Sequence, residues 1–155
     1  MWRVLLTASL VFASSVPAAA AEWWWISASG NRPDRQLVFM DKSSATTDYA
    51  NHPTYWAFRI YESLQEKGVR KRKELYKFDC RERTYTIIEA LEYGNNDKFI
   101  NSIKWESYEQ SATNVAPDTV GESELNFACF GKAPVTTPLT TSPEQFSAYF
   151  FKLSD

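Results

Sequence analysis

Lys73-Glu74-Leu75-Tyr76-Lys77-Phe78-Asp79-Cys80-Arg81-Glu82-Arg83-Thr84-Tyr85-Thr86-Ile87-Ile88-Glu89-Ala90-Leu91-Glu92-Tyr93 decides the fold. Tyr76, Phe78 and Cys80 alternate with Lys77 and Asp79, the period of two expected of a half-buried strand. Arg81-Glu82-Arg83 interrupts the pattern. Alternation then resumes, with Tyr85, Ile87, Leu91 and Tyr93 on one set of positions. This reads as a β-hairpin with a cysteine beside its bend.

Working outward, strands precede the hairpin and helices follow it. Glu22 to Ala28, Gln36 to Asp41 and Tyr55 to Tyr61 are rich in the aromatic and β-branched residues that fit a pleated sheet. In the third of these, Trp56, Phe58 and Ile60 form one face, and Tyr55, Arg59 and Tyr61 a wetter one. Lys42 to Pro53 is polar and reads as a loop. Gly94-Asn95-Asn96-Asp97 is a concentrated turn signal before a last strand over Lys98 to Trp105. Thr119 and Glu122 stand in the relation of a capping box, and Gly131 marks the helix end, with Leu125, Cys129, Val120 and Phe130 on its apolar face. After a Pro/Thr linker from Pro134, Ser142-Pro143-Glu144-Gln145 opens a second helix. Its stripe is Phe146, Tyr149, Phe150 and Leu153. The fold class expected is α+β: one antiparallel sheet of about six strands packed by a C-terminal helix, plus a second terminal helix. The 155-residue chain divides into a targeting segment over 1–21, one domain over 22–133, and a linker with an amphipathic helix over 134–155.

The start of the chain has the form of a signal peptide. Arg3 supplies the positive charge, Val4 to Val16 the apolar run, and Pro17 with Ala18 to Ala21 a cleavage region. Cleavage near Ala20-Ala21 is expected to release a periplasmic or secreted protein, without a membrane span and, lacking a cysteine there, without a lipid anchor at that site. A retained apolar anchor is the competing reading. In an oxidising compartment the two cysteines, Cys80 and Cys129, favour pairing over two free buried thiols. With His52 alone, they are too sparse for a metal site.

Chemistry is thinly signalled. The formal net charge of −2 is unlike that of a nucleic-acid binder. No phosphate-binding glycine loop and no catalytic histidine or serine motif is present. His52 reads as a surface-loop residue, and Glu89 and Glu92 as a solvated strand face. A concave pocket holding several buried carboxylates would point instead to an enzyme. The candidate binding residues are the basic run Lys67, Arg70, Lys71, Arg72 and Lys73, together with Trp23 and Trp25. The run suits anionic glycans, acidic proteins or lipid headgroups. It is better accounted for as lysines guarding an edge strand against aggregation, and such an edge could also accept another chain. Exposed tryptophans stack on sugars or anchor protein contacts, and they also serve to cap a sheet edge.

Taken together, Leu37 to Ser44, Trp56, the hairpin segment Glu74 to Tyr85, Trp105, Ala116-Pro117-Asp118-Thr119-Val120-Gly121-Glu122, Leu125 and Cys129 resemble the bacterial surface-adhesin protein E family, over roughly Trp25 to Gly131. The resemblance implies a sheet packed by a C-terminal helix, a bridge between Cys80 and Cys129, and a non-catalytic exported protein. Adhesins of that family bind host matrix and plasma proteins. The function expected is thus non-covalent, adhesin-like binding of proteins or anionic glycans without cofactor or metal. A periplasmic protein that inhibits or assists another envelope protein is the alternative, and a small hydrolase the third.

Overall fold

Two aromatic layers, one on each side of a single sheet, set the architecture. The computed structural model describes residues 20–153, so most of the expected targeting segment lies outside the described residues. Six strands follow one another as antiparallel neighbours: β1 (Trp23–Ser29), β2 (Gln36–Thr47), β3 (Pro53–Tyr61), β4 (Lys71–Asp79), β5 (Thr84–Tyr93) and β6 (Phe99–Lys104). A two-residue strand, β7 (Thr113–Asn114), pairs with the hairpin end of β5. Helices α1 (Val120–Phe130) and α2 (Pro143–Leu153) complete the α+β fold.

One face is covered by α1. Ile26, Val38, Met40, Ala57, Tyr76 and Phe78 pack there with Leu125 and Phe127. Tyr55 belongs to this core, so the side of β3 expected to be wet is a buried one. Thr119 caps α1 by accepting from Glu122 N (3.2 Å), and Gly131 ends it in the left-handed region at φ 65°. The Cys80–Cys129 disulfide pins the helix to the hairpin bend. Phe130, expected on the apolar face, turns outward instead.

The opposite face carries Leu37, Phe39, Phe58 and Ile60, with Trp23 and Trp25 beside them, and α2 lies on it. Ser142 and Gln145 form the reciprocal cap of α2 (3.2 and 3.4 Å). The inward residues of α2 are Phe146, Phe150 and Phe151. Tyr149 and Leu153, assigned by periodicity to the apolar stripe, remain 65% and 61% exposed.

Two further expectations fail for identifiable reasons. The polar stretch after Asp41 continues β2 to Thr47 rather than forming a loop. Asp41 Oδ1 accepts from Glu22 N and Ser43 N (both 2.9 Å), and Ser44 Oγ accepts from Trp56 N (3.0 Å). Side chains thus bridge the register shift between Asp41 and Thr46, and pairing resumes at Thr46↔Thr54. In the hairpin, the register shifts beside Leu75, which pairs with Glu89 while Tyr76 pairs with Ile87. The extra residue, Ile88, reverses the facing of everything after it. Tyr85 and Ile87 join the α1 core. Leu91 and Tyr93 pair with Lys73 and Lys71 and lie on the other side.

Candidate functional site

The basic run occupies the turn before β4 and its first half, and β4 is an interior strand between β3 and β5. Neither edge protection nor strand addition can therefore explain it. Alternation divides the run between the two faces. On the α1 side, Arg72 pairs with Glu92 and, at 3.5 Å, with Glu74. Burial works against the Arg72 cation, but the bond to Glu92 and the charge of Glu74 more than offset it, and its pKa is raised. Arg70 donates to the carbonyl of Glu62. On the α2 side, Lys71 pairs with Asp97 and lies 3.9 Å from Glu144. Lys73 stands over the Phe58 ring (5.0 Å) and the Trp23 ring (5.9 Å). Lys67 lies in the exposed turn Glu66–Gly68 at φ 57°.

Trp23 and Lys73 are therefore brought together around Phe58. Trp25 is not part of that group. It packs against Phe146 and Phe150 of α2 at 5.8 and 6.3 Å. From the edge of the α2-covered core outward, cross-strand register sets Trp56, Leu75, Glu89 and Lys104 in one row, and Phe58, Lys73, Leu91 and Ser102 in the next. Trp56, Leu75 and Leu91 are half-buried and Lys104 is exposed. This is a largely apolar platform that carries Lys73, Lys104 and Glu89, and neither lysine is in ion-pair contact with a carboxylate among the described residues.

The α1 side of the same sheet holds charges that sequence reasoning missed. Arg59 Nε donates to Glu74 Oε2 (2.8 Å), and its Nη2 donates to Glu124 Oε1 (2.7 Å) and the Tyr76 hydroxyl (2.8 Å). Glu74 and Glu124 are only 4% and 1% exposed. Burial pushes the Glu124 carboxyl up, against the opposing pull of Arg59. Burial likewise raises the Tyr76 and Tyr61 phenols. Glu92, expected on a solvated face, is 6% exposed and bonded to Arg72. Beside it opens a cleft of about 350 Å³ lined by Tyr61, Gln65, Glu66, Lys67, Val69 and Arg72. Of Glu74, Glu92 and Glu124, only Glu92 reaches its wall. Glu74 had left a signal in the sequence: it is in phase with Tyr76 and Phe78.

His52 is not a free surface residue. Its Nδ1 lies 3.3 Å from Asp48 and its Nε2 3.4 Å from Asp79. It bridges the β2–β3 turn to the hairpin bend. Among the described residues no group of three or more His, Cys, Asp or Glu could hold a metal, and no helix is long and apolar enough to cross a membrane.

A sheet with a disulfide-pinned helix on one face and α2 on the other defines a small α+β domain. The family model for surface-adhesin protein E matches residues 25–130, and the chain belongs to that family. Neither a curated protein nor a solved structure matches it. The matched region ends at the last residue of α1, so α2 and its linker lie beyond it.

Proposed function

We propose that the protein is an exported, non-catalytic binding protein of the adhesin type, which engages an acidic protein or an anionic glycan and needs no cofactor. Family membership is the observation that carries this reading. The α2-side platform is the surface that fits it: Trp23, Trp56, Leu75 and Leu91 offer apolar area, and Lys73 and Lys104 offer positive charge. The rest of the basic run is a weaker candidate, because Lys71 and Arg72 are already paired with acids. Trp25 supports the platform indirectly, by holding α2 in place. The signal peptide expected over residues 1–21 would direct the chain across the inner membrane, and cleavage near Ala20-Ala21 would release it.

Two measurements test the proposal. Protease treatment of intact cells should cut the protein along with other surface proteins; protection would overturn the adhesin reading. Binding to an immobilised sulfated polysaccharide should weaken as salt rises and fall further in Lys73→Ala and Lys104→Ala. Retained binding in the double variant would remove the platform as the site.

A further inference from the structure

The β3–β4 and β5–β6 connections meet at one end of the sheet and enclose a hollow of their own. The turn Glu66–Gly68 comes from the first connection and Asn95–Asp97 from the second. The two approach closely: a Cβ on Gly94 would stand 3.4 Å from Gly68 O and 3.4 Å from the Ile100 side chain. The hollow measures about 460 Å³. Among the described residues, Lys67 and Lys98 are the only charged groups that line it. Neither lysine has an ion pair or a side-chain hydrogen bond among those residues. The acids beside them in sequence are engaged elsewhere. Asp97 pairs with Lys71, and Glu66 lines the neighbouring cleft on the Glu92 side. Phe99 and Ile100 supply an apolar wall. The Phe99 ring is 54% exposed and is held edge-on by Tyr93 at 5.9 Å. Asn95, whose amide has no partner among the described residues, and the Gly68 backbone supply polar groups.

We infer that this hollow takes one acidic monosaccharide unit of a glycan. The unit is a pyranose bearing a carboxylate or sulfate, with its anionic group toward Lys67 and Lys98 and the C–H face of its ring on Phe99. Its hydroxyls are met by Asn95 and Gly68 O. The inference rests on the reading of the protein as a binder of anionic glycans, and it adds an end-of-sheet subsite to the platform. Charge makes the first selection. A cation would meet two ammonium groups with no acid in the wall, whereas an anion answers both. Shape makes the second. The volume falls within the range of small-ligand pockets, about 300–1,000 Å³. A glutamate side chain from a partner protein would meet the charge, but it would leave most of the volume and the Phe99 ring unfilled. A neutral sugar would use the ring and leave both lysines unanswered. An acidic sugar alone among these uses the charge, the aromatic face and the polar groups together.

The test titrates four small molecules into the oxidised protein and follows amide chemical shifts. Two are acidic sugars, methyl β-D-glucuronide and methyl β-D-glucoside 6-sulfate. Methyl β-D-glucoside is the neutral control, and Nα-acetyl-glutamate-N-methylamide stands for an acidic protein. The acidic sugars should perturb Gly68, Gly94, Asn95 and Phe99 and bind more tightly than either control. Lys67 sits at φ 57°, a conformation that asparagine tolerates, so Lys67→Asn removes the charge and keeps the turn. Lys67→Asn and Lys98→Ala should each weaken the acidic sugars roughly threefold, and the pair together about tenfold, the scale of exposed charge pairs. Phe99→Ala, which leaves both charges, should weaken them roughly fourfold, the worth of about one buried CH₂ group. Equal affinity for the neutral sugar or for the glutamate compound overturns the inference, as does unchanged affinity in the double lysine variant. The two proposals fail separately. No binding of either acidic sugar, with sulfated polysaccharide binding lost in the Lys73→Ala, Lys104→Ala double variant, overturns this inference and leaves the adhesin reading standing.

Discussion

Replacing Arg59 with methionine isolates the buried charge cluster under α1. The substitution keeps an unbranched apolar stem and removes three charge-assisted donations, at 2.7 to 2.8 Å, to Glu74, Glu124 and Tyr76. It leaves two carboxylates, 4% and 1% exposed, without their counter-charge. Breaking a buried pair from one side costs about 3–5 kcal/mol, because the abandoned charge stays desolvated. A domain of this size is stable by about 5–15 kcal/mol. With a urea dependence of about 2 kcal/mol per molar, the midpoint should fall by roughly 2 M. The sign of the pH dependence follows from Glu124, whose folded-state pKa is raised by burial. Such a group contributes stability that is fully present below its unfolded value and lost as pH rises through its folded value. Without Arg59 that rise is larger, so the deficit should be smaller at pH 5 than at pH 7. Urea titrations of both proteins at the two pH values, followed by tryptophan fluorescence, measure this. A triple variant that also carries Glu74→Gln and Glu124→Leu should recover most of the loss. A deficit below about 1 kcal/mol, the size of an exposed pair, would refute the reasoning, as would a deficit identical at both pH values.

Three other outcomes are expected. Replacing both Cys80 and Cys129 with serine removes a bridge across a sequence separation of 49 residues and should cost on the order of 4 kcal/mol in the chain-entropy model, read by denaturant titration. Thr119→Ala removes the α1 cap and should lower stability by about 1 kcal/mol without altering the far-UV spectrum of the remaining fold. Asp48 and Asp79 both sit below the usual carboxylate value of 3.8, chiefly because backbone N–H groups donate to them. Their contribution is present above the unfolded value and lost as pH falls through the lower folded one. The acid limb of a stability–pH profile should accordingly lie below about pH 4 and flatten in Asp79→Asn.

The hairpin from Lys73 to Tyr93 was legible because its residues alternate over enough positions to leave one register with a buried face. The inserted Ile88 was not, since Tyr85, Ile87, Leu91 and Tyr93 share one parity and look continuous when a bulge lies between them. Both helix starts were legible from their caps, which are local chemistry. The rotation of α2 about its axis was not, because Tyr149 and Phe151 are both aromatic and only the packing against Phe39 and Trp25 decides between them. The second half of β2 carries serine and threonine, and the hydrogen bonds that Asp41 and Ser44 accept to keep it in the sheet join partners up to 19 residues apart. The charge network under α1 was the least visible, for Arg59 and Glu124 are separated by 65 residues. The basic run was conspicuous as a string and modest as a surface, since pleating sends neighbouring cations to opposite sides.

The placement of α2 has a practical bearing on how the domain can be cut. Residues 25–130 include both cysteines and all of α1, so a fragment ending there keeps its bridge and the fully buried residues of the α1 core. It would also uncover Leu37, Phe39, Phe58 and Ile60 together with the indole of Trp25. Such a fragment should be monomeric only at high dilution, and at working concentrations should associate through that bare aromatic surface. The last helix therefore behaves as a solubility element for the rest of the chain, and recombinant versions meant for binding studies should extend through Leu153.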